Sequence, residues 1–256
     1  MNHAASDLAD AVLRRGGVPE RRQESAFKDL MRLLAGYPLA LQVVLPNLAA
    51  KSAATVLDEL QKGLAEIDVT PGTDPIVART RTLMSCIGYS HGQLDPEAQA
   101  LLLCFAPFIG VIDTQQLDNY RQRLTEEPEL AALPLARLGE VLERTRELGL
   151  LQRDTDAPQL LRPQPALGWF LTNRLAMSEQ DGLRVAVLQA FRKHYDGLAG
   201  WLAGLQGSKD PQERQLGHVL VEREYANLGT ALRIALDQQT SILNQYRVLS
   251  SHLDPA

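Results

Sequence analysis

Apolar positions recur with a helical period along most of the chain. In AFKDLMRLLAG (26–36), Phe27, Leu30, Met31 and Leu34 stand at i, i+3, i+4 and i+7, one face of a helix that Gly36 ends. The apolar run then resumes at once from Pro38. A proline inside a helix removes a hydrogen bond and costs about 3 kcal/mol, whereas at the first helical position its missing N–H costs nothing. Pro38 therefore opens a second helix, and Gly36-Tyr37-Pro38 forms a corner between the two. Pro46 kinks or shortens that second helix. Upstream, SDLADAVLRR (6–15) predicts a helix capped by Ser6 and closed by Gly16-Gly17. Downstream, SAATVLDELQKGLAEI (52–67) has Ser52 as cap and Val56, Leu57, Leu60 and Leu64 as its apolar face. Residues 1–70 thus read as a helical bundle. DVTPGTDP (68–75), with two prolines and a glycine, reads as a linker.

The pattern is richer beyond the linker. A helix through VARTRTLMSCIGYSHGQL (77–94) precedes DPEAQALLLCFAPF (95–108), where Asp95 is the N-cap and Pro96 the first helical residue. GVID (110–113) is a short extended piece. TQQLDNYRQRL (114–124) is a helix capped by Thr114 or Asp113, and TEEPELAALP (125–134) is an acidic loop. LARLGEVLERTRELGLL (135–151) is a helix with Leu135, Leu138, Val141, Leu142 and Leu148 on one side. Two short runs, 150–153 and 159–162, flank the turn former Asp-Thr-Asp-Ala-Pro and predict a β-hairpin. Helices followed by a hairpin give the order of a winged helix, residues 76–175. From 176 to 256 the chain is helical again, broken at GSKDP (207–211), with Leu216, Val219, Leu220, Leu228, Ala231, Leu232 and Ala235 as core candidates. The expected fold class is mainly α: a helical bundle, a winged helix with a small β-wing, then a helical repeat-like region. No repeat of fixed period is visible.

Composition sharpens this in a few respects. Aromatics are 5% of the chain and runs rich in Val, Ile and Thr are scarce, which favours helix over sheet. A formal charge of −5 does not favour nucleic acid as partner. Cys86 and Cys104 lie in apolar stretches and read as reduced core thiols. No apolar run approaches the roughly 20 residues of a membrane helix, and the N-terminal stretch lacks a signal-peptide core, so a cytoplasmic protein is expected. Trp169 and Trp201 read as core or repeat-packing residues.

Three segments together resemble the signal-transduction ATPases with numerous domains (STAND), which include the NB-ARC group. LLAGYPLAL (33–41) is similar to their GxP motif. RTLMSCIGYSHGQLDPEAQALLLCFAPFIGVID (81–113) resembles the start of their winged helix, with its apolar helix ending Phe-x-Gly. EREYANLGTALRIALDQQ (222–239) resembles the Glu-x-x-Asn-Leu-x-x-Ala-Leu segment that leads into tetratricopeptide-type repeats. The resemblance implies that the corner Gly36, Tyr37, Pro38 and Leu39 packs on the adenine and ribose of a nucleotide. It also implies a histidine near the end of the winged helix that contacts the β-phosphate; here LLRPQPALGWFL (160–171) places Gln164 there. Glutamine can donate a hydrogen bond but cannot become cationic. Arg162 is a possible substitute.

The residues that would do the chemistry of such an ATPase are missing. The sequence has no G-x-x-x-x-G-K-[ST] loop and no apolar run ending in paired acids for Mg²⁺. The expected role is therefore that of a regulatory lid, the back half of a nucleotide switch. It is not an enzyme and binds no cofactor by itself, ADP or ATP being held by an absent domain. The alternative is a stand-alone helical scaffold for protein partners. A DNA-binding regulator is disfavoured because Arg137, Arg144 and Arg146 are balanced by Glu140, Glu143 and Glu147 on the helix in the recognition position. The histidines His3, His91, His194, His218 and His252 show no metal-ligand spacing. The apolar stripe over 216–236 predicts self-association.

Overall fold

A computed structural model describes residues 3–65, 75–177 and 181–253. The linker expected at 68–75 lies outside them except for Pro75, as does the side chain of Leu64. The chain divides into two compact units: residues 1–99 with 142–152, and residues 100–141 with 153–256.

In the first unit, α1 (His3–Arg15) begins ahead of the expected cap. Ser6 lies inside it, and its hydroxyl accepts a hydrogen bond from Arg22 at 2.6 Å. Helix α2 (Phe27–Leu33) buries Phe27, Leu30 and Met31, and α3 (Pro38–Val44) starts with Pro38 in its first turn. Pro46 has the expected shortening effect: α3 gives way to a 3₁₀ segment, Leu45–Ala49. Helix α4 (Ala53–Ala65) is capped by Ser52, whose hydroxyl accepts from the Thr55 N–H at 3.2 Å. Helix α5 runs from Pro75 to His91. Helix α3 packs on α1 and α5, and α2 packs on α4. Asn47, buried, donates to the carbonyls of Val43 and Val44 and to the Ser90 hydroxyl, which itself donates to Val43 at 2.8 Å. These bonds satisfy polar groups that burial would otherwise leave costly.

The chain then follows the winged-helix order. Helix α6 (Pro96–Leu103) is capped by Asp95, whose carboxylate accepts from the Ala98 N–H at 2.9 Å. Strand β1 (Ile112–Asp113), helix α7 (Leu117–Thr125), helix α8 (Leu138–Glu147) and the strands β2 (Leu151–Arg153) and β3 (Leu160–Pro163) follow. They build a three-stranded antiparallel sheet in the order β1-β3-β2, with Ile112 opposite Leu161 and Asp113 opposite Leu160. Asp113, not Thr114, caps the turn leading into α7, accepting from the Gln115 N–H.

The second unit continues through α9 (Pro165–Met177), α10 (Asp181–Gln206), α11 (Pro211–Asp237) and α12 (Leu243–Leu253), the last three packed side by side. Its core is aromatic: Phe105, Phe108, Tyr120, Phe191 and Tyr195 have neighbouring ring centroids 4.6 to 6.0 Å apart. The acidic stretch after α7 is more than a loop. It contains a 3₁₀ turn at Pro128–Leu130, and Glu127 is buried against Lys193 at 2.8 Å. Two expected core positions, Leu216 and Val219, are about half exposed, as are Trp169 and Trp201. Periodicity identifies an apolar face, and these side chains lie on faces that the described elements cover only in part. No helix among the described residues is long and apolar enough to cross a membrane.

Candidate functional site

The corner between α2 and α3 is built by two successive left-handed residues. Ala35 has φ 51° and Gly36 φ 67°. The Ala35 N–H bonds the Arg32 carbonyl and the Tyr37 N–H bonds that of Leu34, both at 3.0 Å, which closes α2. Tyr37 is extended and precedes Pro38, whose ring opens α3 without leaving an N–H unpaired. Glycine suits position 36 on two counts: its backbone angle favours glycine, and a Cβ would stand a tight 3.2 Å from the Ala5 methyl. Pro38 is exposed, and Gly36, Tyr37 and Leu39 are half-buried. The corner is thus an apolar ledge held by rigid backbone, with chemistry suited to the face of a planar group.

Gln164 belongs to the other unit and is 5% exposed. It directly precedes α9, and its carbonyl accepts from the Leu167 N–H at 2.8 Å. Arg162 is exposed and committed to Asp154 at 2.8 Å, an ion pair across the turn of the hairpin. That guanidinium, with backbone N–H groups of Asp156 and Ala157, holds the Asp154 carboxyl below its ordinary range. The corner residues form one local site of the first unit, and Gln164 is a buried position of the second.

The arginines of the recognition-position helix are neutralised where they stand. Arg137 pairs with Glu140, Arg144 with Glu147 and Arg146 with Glu143, each at i, i+3. Cys86 and Cys104 are free and buried, and burial pushes both thiols up to about 12. Ser90 and His91 are both buried, and Ser90 is engaged by Asn47 and Val43 as described, which gives it a structural role. Among the described residues no cluster of His, Cys, Asp or Glu could hold a metal ion.

A buried polar centre in the second unit joins two of the motif segments. Asn227 of α11 accepts from the N–H groups of Ile109 and Gly110 at 3.2 and 3.0 Å and donates to the Val111 carbonyl at 2.7 Å. One side chain thereby satisfies the unpaired backbone of the Phe108-Ile109-Gly110-Val111 turn. Beside it, Glu224 accepts from the Tyr195 hydroxyl at 3.1 Å and from Arg223, which also pairs with Asp113 at 3.0 Å. Burial raises the Glu224 carboxyl above its usual range, an effect opposed by Arg223. In the sequence, Glu224 and Asn227 stand out only as the Glu and Asn of the 222–239 motif. The available signal was an asparagine flanked by apolar residues on an amphipathic helix, a position that needs a polar partner when buried.

Comparison with protein-family models, curated proteins and solved structures gives no match.

Proposed function

We propose that this chain is the regulatory lid of a nucleotide switch of the STAND type. In this reading the Gly36–Leu39 corner closes over a base held by a separate phosphate-binding domain, and α10 to α12 begin a helical sensor. The observation that carries the reading is the corner: an exposed proline framed by half-buried Gly36, Tyr37 and Leu39 on a backbone fixed by two left-handed residues. An apolar ledge of this kind accepts a purine face without leaving a donor unsatisfied. Gln164 is 5% exposed, so in this reading the exposed corner makes the first nucleotide contact and Gln164 remains the residue at the histidine's place in the motif. The chain alone neither holds ADP or ATP nor hydrolyses it, and works as a two-state hinge in the cytoplasm.

Calorimetry with ADP tests this, first on the chain alone and then on the chain joined to any domain its gene encodes upstream. Binding only in the joined protein, weakened by Pro38→Gly, is the expected result. Equal binding by the joined protein and its Pro38→Gly variant would remove the corner from the nucleotide site.

A second reading, a protein-interaction scaffold without nucleotide dependence, is favoured by the exposed Trp201, Leu216, Val219, Tyr246 and Leu253 of the last three helices. ADP binding in neither protein would select it. A DNA-binding role is disfavoured, because Arg137, just before α8, and Arg144 and Arg146 within it are each already paired with a glutamate.

A further inference from the structure

Within the second unit, α7 and α10 enclose an open groove of about 330 Å³. One wall carries the amides Gln116, Asn119 and Gln122, spaced i, i+3 and i+6. Asn119 donates to Gln116 at 2.8 Å, which leaves the Asn119 carbonyl oxygen and the Gln116 amino group to bond elsewhere. The opposite wall presents Trp201, 52% exposed. His194 also lines the groove, and burial, with Arg123 nearby, lowers its pKa to about 4, so it brings no charge at neutral pH. Arg123 is then the one charged side chain in the lining. Its partner Glu126, at 2.7 Å, is over a third exposed, and an ion pair that open is worth at most about 1 kcal/mol. An incoming carboxylate can take its place.

Gly197 also lines this groove. It lies in the interior of the 26-residue α10, where glycine costs about 1 kcal/mol relative to alanine. The fold does not ask for it: its φ is not left-handed, and a Cβ there would meet nothing within 4 Å. The space it keeps open is groove space. Side-chain amides match the N–H and C=O of a peptide group, an exposed indole packs against proline or an aromatic ring, and glycine admits a close backbone. The single cation of the lining suits one carboxylate and is too little for a nucleic acid backbone.

We propose that the α7–α10 groove binds an extended peptide segment bearing an acidic side chain, with Gln116, Asn119 and Gln122 taking its backbone, Trp201 its proline or aromatic side chain, and Arg123 its carboxylate. The assignment is independent of the nucleotide reading above. It is tested by selecting random heptapeptides with amidated C-termini on the full chain, then titrating the selected peptides into Trp169→Phe, in which Trp201 is the sole tryptophan. The expected result is enrichment of acidic peptides containing proline or an aromatic residue, with a shift in Trp201 emission on binding. Affinity should fall about tenfold or more in Gly197→Met and up to about fivefold in Arg123→Gln. The melting temperature of Gly197→Met should not fall, since its side chain enters open space on a helix it favours. Equal binding to Gly197→Met and the parent, selection without acidic enrichment, or failure to select any peptide would each overturn the proposal.

Discussion

At Gly149 a single hydrogen decides whether the first unit can close. The residue has φ 75°, and a Cβ on it would stand 2.0 Å from the Gln42 carbonyl oxygen and 3.1 Å from the Pro46 ring. Both obstacles are too stiff to move aside cheaply. Gly149→Ala is expected to cost about 3 kcal/mol, read as a drop in the urea midpoint at unchanged slope. Asn227 acts in the opposite sense, by adding bonds rather than leaving room. Asn227→Leu keeps the volume and strands two N–H groups and one carbonyl, for an expected loss of about 3 kcal/mol in the same assay. The two residues also mark what can be read from sequence. Pro38, Ser52 and Asp95 were legible because a helix start is decided by residues next to one another. Asn227 finds its partners 116 to 118 positions away, and no local rule reaches that far.

Among the elements, α7 and α10 meet through aromatic rings, and His194 is one of them. It packs edge-on against Tyr120 and Tyr195, with centroids 5.4 and 5.0 Å away. Burial, aided by Arg123, lowers its pKa from 6.5 to about 4. Below pH 6.5 the unfolded chain takes up a proton that the native imidazole refuses until about pH 4, so stability falls across that window as acid is added. From this group alone the loss between pH 7 and pH 5 is about 2 kcal/mol. Glu224, raised by burial, works the other way, its native form holding a proton more tightly than the unfolded one. Comparing the chain with His194→Phe in chemical denaturation at both pH values isolates the histidine: the variant should lose less stability on acidification, and parallel losses would dismiss the assignment. Helix faces were visible in the sequence because apolar spacing follows the backbone period. What covers a face is not visible there, and for this reason Leu216 and Val219, expected in the core, are about half exposed.

Over the molecule as a whole, large apolar side chains remain in water along the last helices. Leu243, Tyr246 and Leu253 of α12 and Leu236 of α11 are each more than half exposed. Burying one such side chain is worth about 1.5 to 3 kcal/mol, enough for a few of them to drive association. The mass seen by light scattering should rise with concentration and return toward the monomer in Tyr246→Glu. A mass constant from micromolar to millimolar protein would rule the association out.

The two units are also threaded through one another in sequence: residues 142–152 complete a unit whose other members are residues 1–99, after 100–141 have gone to the second. On a ribosome the first unit therefore cannot finish when its first ninety-nine residues emerge. It must wait, with the Gln42 turn unclasped, until Gly149 has left the exit tunnel, while the next segment begins to gather its own core. A nascent chain halted before residue 142 should be protease-sensitive in its N-terminal helices, and one carried past 152 and clear of the tunnel should resist.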